Sequence, residues 1–168
     1  LSSGNVANLD LVHPNLEFTE GDILEYPLVE ELVSDVDAVL HLAAIASVPY
    51  SIEHPIYSFQ VNTQGFLHVL QAAHRAAIKP RVVYASSAAV YGNAKELPCS
   101  DVGVLKEKAL SPYALQKVHD EDYADLYSRL FGINSLALRY FNVYGERQDP
   151  ASPYSGVRST TRSRQCAA

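Results

Sequence analysis

The stretch VDAVLHLAA, residues 36–44, is short, nearly continuous in apolar character and rich in β-branched and small side chains. Such a run reads as a strand buried on both faces, and strands of that kind belong to parallel sheets covered by helices. Downstream, the loop from Ala46 to Pro55 carries two prolines. A helical period then runs from about Ile56 to Ile78, with Phe59, Phe66, Leu67, Leu70 and Ala73 along one side. Lys79-Pro80 stops it, and Arg81 to Ala85 (RVVYA) forms a second buried strand. After a polar connection containing Pro98, Ser111-Pro112 supplies an N-cap and a proline at the first helical position. The helix they open extends to about Phe131 and stops at Gly132; Ser135 to Phe141 (SLALRYF) is the next strand. Upstream, Leu16 to Thr19 alternates like a short strand ending at the Gly21-Asp22 turn, and Leu28, Val29, Leu32 and Val33 repeat at helical spacing. Strand and helix alternate throughout, which predicts an α/β, Rossmann-like, doubly wound parallel sheet.

The bulk numbers agree. With 168 residues the chain has room for one α/β domain with a core. A net charge of -6 without clustered Lys and Arg argues against a nucleic-acid surface. It leaves room for a nucleotide held by backbone N–H groups. Cys99 and Cys166 lie far apart, as in a reducing cytoplasm, and no apolar run approaches the ~18 residues of a membrane span. The histidines show no ligand spacing, so no metal is expected.

Ligands of such sheets sit beyond the carboxyl ends of the strands. Ala43-Ala44, Ser86-Ser87 and Tyr140-Phe141-Asn142 fall there, and the long helix begins with Tyr113 and, four residues on, Lys117. Residues four apart share a helix face, so the ammonium lies one turn from the phenol and favours the phenolate. The positive end of the helix dipole adds roughly 0.3–1 kcal/mol. With a serine hydroxyl at the neighbouring strand end, these groups form a general base for an alcohol losing hydride. His41 reads better as a packed strand-end histidine, and Tyr84 and Tyr91 as packing residues. Asp22 serves equally well as a turn residue.

Together SSAAVYG (86–92), SPYALQK (111–117), RYFNVYG (139–145), RQDP (147–150), HLAAIASVPYSI (41–52) and VNTQG (61–65) resemble the extended short-chain dehydrogenase/reductases. Within them the likeness is to the NAD-dependent epimerase/dehydratase family, on the branch of the UDP-glucose and UDP-N-acetylglucosamine 4-epimerases, over residues 1 to about 157. The resemblance implies a tightly held NAD and a UDP-sugar oxidised and reduced at C4 through a 4-keto intermediate. It makes Tyr113 the base, Ser87 the hydrogen-bond partner of the 4-oxygen, and Lys117 the holder of the nicotinamide ribose. Asp22 and Ile23 would flank the adenine. Leu42, Ala43 and Ala44 would line the pyrophosphate and ribose, with Asn62 and Tyr140 completing the cofactor shell. Ser47 and Asn142 would touch the UDP-sugar, with Gly156 and Val157 near the nucleotide or sugar. A homodimer and a cytoplasmic location are also implied.

Alternatives remain within and beyond the family. Dehydratases place an acidic pair directly after the active-site Ser or Thr, where this chain has Ala88 and Ala89. A non-catalytic dinucleotide-binding sensor or scaffold could share the fold, but such relatives lose the Tyr or the Lys. The chain departs from the family at both ends. It opens past the first strand, Gly-rich loop and helix, so a gap is expected in the 3-2-1-4-5-6 strand order. Past Val157 the sugar-binding half is replaced by RSTTRSRQCAA (158–168), which reads as an aberrant or disordered tail. Residues 1–157 are therefore expected to be a partial NAD-binding domain that, made alone, is inactive and binds NAD weakly or not at all.

Overall fold

The computed structural model describes residues 4–9, 11, 13–94, 98–99 and 109–147. The chain divides into two compact units, Gly21–Tyr140 and the pair of segments Leu1–Glu20 and Phe141–Ala168. The larger holds a parallel sheet in the order β1 (Ala38–His41), β2 (Arg81–Ser87), β3 (Ser135–Tyr140). Its register pairs His41 with Tyr84 and Ser87 with Tyr140, so all three carboxyl ends lie on one side. The helices are α1 (Tyr26–Val33), α2 (Val48–Glu53), α3 (Pro55–Phe59), α4 (Gly65–Arg75) and α5 (Pro112–Phe131). In the smaller unit, Asn5 caps a 3-10 turn at Val6–Asn8, and Arg147 Nη1 donates to the Asn8 carbonyl at 2.7 Å.

The parallel sheet and the limits of α5 follow the sequence. Ser111 Oγ accepts from the Ala114 N–H, Pro112 occupies the first turn, and Gly132 closes the helix at φ 69°, a conformation that costs glycine nothing. The core is built between α4 and the sheet. Phe66 and Leu70 are fully buried, with Phe66 against His41 and Tyr84 at centroid distances of 5.1 and 4.6 Å.

Several expectations are corrected. Residues 16–19 form no strand, and no strand among the described residues offers them a ladder. The strand expected over 36–44 is confined to Ala38–His41, and it is not buried on both faces. Val39 and His41 face the helices, while Leu40 is 62% and Leu136 of β3 is 54% exposed on the open face. The expected loop 46–55 contains α2, started by the Ser47 cap and a proline. The helix expected over 56–78 is α3, then a π-helical segment at Gln60–Gln64, then α4. That widened turn changes the facing of what precedes it, so Phe66 and Leu70 are buried while Phe59 is 45% exposed.

Candidate active site

Four elements meet around the first turns of α5, past the carboxyl end of β1. Asn62, in the π-helical segment, is fully buried and binds the loop after β1 at both backbone groups. Its Oδ1 accepts from the Ile45 N–H at 2.7 Å, and Nδ2 donates to the Ile45 carbonyl at 3.1 Å. Nδ2 also donates to Gln116 Oε1 at 2.7 Å, and Gln116 Nε2 donates to Ser58 Oγ at 3.0 Å. The Tyr113 N–H donates to Ser51 Oγ at 3.1 Å. Side chains of α2, α3 and the π segment thus fasten the start of α5 to the loop carrying Ala43 and Ala44.

On α5 the buried stripe reads Tyr113, Gln116, Lys117, Asp120, at spacings of three, four and seven. The Tyr113 ring is buried, and its phenol makes no hydrogen bond among the described residues. Lys117 Nζ donates to Asp120 Oδ2 at 3.1 Å, with the two side chains 2% and 1% exposed. One of the three ammonium N–H bonds is used there. Loss of water pushes the Asp120 carboxyl up to about 6 even though Lys117 pulls it down. Burial, with a smaller push from Lys117, holds His41 down at about 4, so its imidazole is neutral near pH 7.

Ser87 ends β2 and caps the 3-10 turn Ala88–Tyr91, its Oγ accepting from the Ala89 N–H at 3.1 Å. A hydroxyl that accepts this bond still has its own proton to donate. Behind it, Ser86 donates to Glu121 Oε1 at 2.6 Å, and Arg139 grips the same carboxylate through Nε at 2.9 Å and Nη2 at 2.7 Å. The Arg139 guanidinium also lies over the Tyr91 ring, 5.2 Å from its centroid. Glu121 thereby ties α5 to the ends of β2 and β3, and its hydrogen bonds raise the Arg139 pKa further above its ordinary value.

The remaining expected residues take distinct positions. Asp22 is exposed and accepts from the Leu24 N–H at 2.9 Å, the turn role its sequence allowed. Ile23 is half-buried and packs where Gly65 brings α4 close; a Cβ on that glycine would lie 2.8 Å from Ile23 Cγ2. Leu42 is exposed, Ala43 exposed and Ala44 half-buried, leaving small side chains where a ribose or pyrophosphate could lie against backbone. Tyr140 pairs with Ser87 across the sheet and is 41% exposed. Ser47 caps α2, accepting from the Tyr50 N–H. Asn142 is exposed and belongs to the smaller unit, and Gly156 and Val157 lie outside the described residues. The sequence reading missed Ser51, Ser58, Gln116, Asp120, Glu121 and Arg139. Its missed signal was a polar inward stripe on α5.

Residues 2–165 match the NAD dependent epimerase/dehydratase family. The chain belongs to that family. A putative UDP-glucose 4-epimerase of Methanocaldococcus jannaschii is 40% identical over 151 residues, covering 89% of this chain and 48% of that protein. Among solved structures, a UDP-N-acetylglucosamine 4-epimerase from Methanobrevibacter ruminantium, in complex with UDP-N-acetylmuramic acid, aligns with a TM-score of 0.86. It is 39% identical and covers 94% of this chain and 50% of that one. A dTDP-glucose 4,6-dehydratase double mutant from Streptomyces venezuelae, with NAD bound, reaches 0.82 at 31% identity, covering 95% and 49%. The chain thus spans about half the length of the relatives it matches.

Proposed function

We propose that the whole protein carrying this chain is an NAD-dependent UDP-sugar 4-epimerase. The observation that carries the reading is that Ser87, Tyr113 and Lys117, groups that can handle protons, are all present, while the two positions after Ser87 are Ala88 and Ala89, which cannot. Fold does not separate epimerase from dehydratase, since a 4,6-dehydratase shares it. Eliminating water across C5 and C6 needs a further acid and base, and alanine supplies neither. Glu121, which accepts from Ser86 next to them, is held by Arg139.

The residues present fit a dinucleotide: small side chains at Ala43 and Ala44, and a lysine with N–H bonds to spare. Bound NAD supplies a reversible acceptor for the hydride of sugar C4. Tyr113 takes the proton of the 4-hydroxyl, and Ser87 donates its O–H to the same oxygen as that becomes a carbonyl. Lys117, one helical turn along α5 from the phenol, holds the nicotinamide ribose. Leu42, Ala43, Ala44, Asn62 and Tyr140 line the cofactor, and Asp22 and Ile23 flank its adenine. Ser47, Asn142, Gly156 and Val157 contact the UDP-sugar. After the keto-sugar turns over, Tyr113 returns the proton to the 4-oxygen while C4 is reduced from its other face.

Assaying the whole protein on UDP-glucose, UDP-N-acetylglucosamine and their uronic acids should give the C4 epimer of at least one. Formation of a 4-keto-6-deoxy sugar would replace this reading with the dehydratase one. Tyr113→Phe should lower turnover by about 10²–10⁴-fold while UDP-sugar binding is largely kept. Turnover within a few-fold of the parent would remove Tyr113 from the role. A homodimer is part of the same proposal. An apolar cavity of ≈ 340 Å³ on α3 and α5, lined by Pro55, Ile56, Phe59, Pro112 and Leu115, supports it, with Ile56 77% exposed. A monomer mass by light scattering would discard it. No described helix is long and apolar enough to cross a membrane, and a cytoplasmic location is proposed.

A further inference from the structure

Lys117 and Asp120 form an ion pair at a depth where charges are seldom found, 2% and 1% exposed. Such a pair is weak evidence for stability, because desolvation can exceed the attraction between the partners. Here it does so for the carboxyl, which sits at about 6 although the ammonium is 3.1 Å away. The second oxygen, Oδ1, accepts no hydrogen bond; the Thr63 hydroxyl lies beside the carboxylate without hydrogen-bond geometry. A leucine and an alanine in the same stripe would avoid all of this. The pair must therefore be explained by where it stands, with Lys117 about one helical turn and Asp120 about two turns from Tyr113.

We infer that Asp120 is a positioning residue for Lys117, fixing where the ammonium sits and how much of its charge reaches the Tyr113 phenol. The inference rests on the epimerase reading. The titratable groups facing the carboxyl are Lys117 and His119 on α5, and Tyr84 on β2, whose phenol is pushed up by burial and, among smaller causes, by Glu121 and Asp120. His41, on β1, faces the same ammonium and is neutral, with its Nε2 unpartnered. The carboxylate therefore cancels part of the field that the ammonium exerts on an anion forming at Tyr113. Removing its charge while keeping its shape should strengthen that field.

The test is the pH profile of turnover in the whole protein, compared between the parent, Asp120→Asn and Asp120→Glu. Asp120→Asn should move the acid-side half-maximum to lower pH by about half a unit or more, and Asp120→Glu should restore the parent profile. Superimposable profiles, or a move to higher pH, overturn the inference. A second measurement needs no variant. The Lys117 ammonium resonance of the parent should shift as the carboxyl takes a proton, near pH 6. A resonance that reports no carboxyl titration at any pH where the protein stays folded overturns the pairing. No turnover of any UDP-sugar, with the resonance still titrating, would sink the epimerase reading and leave the pairing supported.

Discussion

Asp120 and Glu121 are consecutive residues of α5, both acidic and both paired with a cation, and the two pairs are built differently. Glu121 meets Arg139 through two parallel N–H bonds, accepts a third from Ser86, and keeps 18% of its side chain exposed. Asp120 meets Lys117 through one bond, three residues away on its own helix, and is 1% exposed. The first pair crosses from helix to strand and is satisfied at nearly every lone pair, so it fastens the fold. The second is made within one helix, with the Thr63 hydroxyl of the π-helical segment beside it, and burial works against it. Identical chemistry one residue apart serves a clamp in one case and a tuned charge in the other.

The largest expected effect falls on the clamp. Glu121→Ala removes three hydrogen bonds and leaves a half-buried guanidinium, and should cost about 3 kcal/mol in a denaturant melt. Arg139→Lys, which keeps the charge and loses the fork, should cost less than half as much. A loss under about 0.5 kcal/mol for Glu121→Ala would make the clamp an ornament of the surface.

The tuned pair should show itself in pH rather than in size. The folded Asp120 carboxyl, at about 6, lies above its ordinary 3.8, so its contribution is complete below that value and is lost as pH rises through about 6. His41, held at about 4 against an ordinary 6.5, runs the other way: its contribution is present above 6.5 and lost as pH falls through about 4. Each is worth on the order of 3 kcal/mol. Between about pH 4 and 6 they oppose each other. Asp120→Asn should therefore unmask a loss of stability on acidification across that window, and His41→Phe a gain. Parallel stability curves for all three proteins would refute the opposition.

The smallest effect belongs to a third pair on the same helix, Arg129 with Asp125, at 3.0 Å but 65% and 66% exposed. Solvent screens it, and Asp125→Asn should change stability by no more than about 0.5 kcal/mol, fading with added salt.

What the sequence made legible depended on how local the cause was. The ends of α5 were plain, because a Ser-Pro start and a glycine stop act within one turn. The parallel sheet was plain from the apolar runs, but the cover over each face was not. Leu40 and Leu136 look like core in sequence and are exposed in this chain, which spans about half the length of its relatives. Leu16 to Thr19 alternates correctly and still forms no ladder, since a strand requires a partner as well as a pattern. At the candidate site, Tyr113 and Lys117 were found from their spacing. Gln116 and Asp120 share their stripe and were passed over, because polar residues on a helix suggest a solvated face. Asn62, expected in the cofactor shell, also holds the Ile45 backbone and the Gln116 side chain, contacts that no local pattern announces.

The π-helical segment Gln60–Gln64 constrains the length of the chain as well as its shape. A single-residue deletion there would restore an ordinary helix and turn everything upstream by roughly 100° against α4. Phe59 and the rest of α3 would then turn to a new face relative to Phe66 and Leu70. Substitutions along this stretch should be tolerated wherever side chains face water, whereas a change of one in its residue count should not.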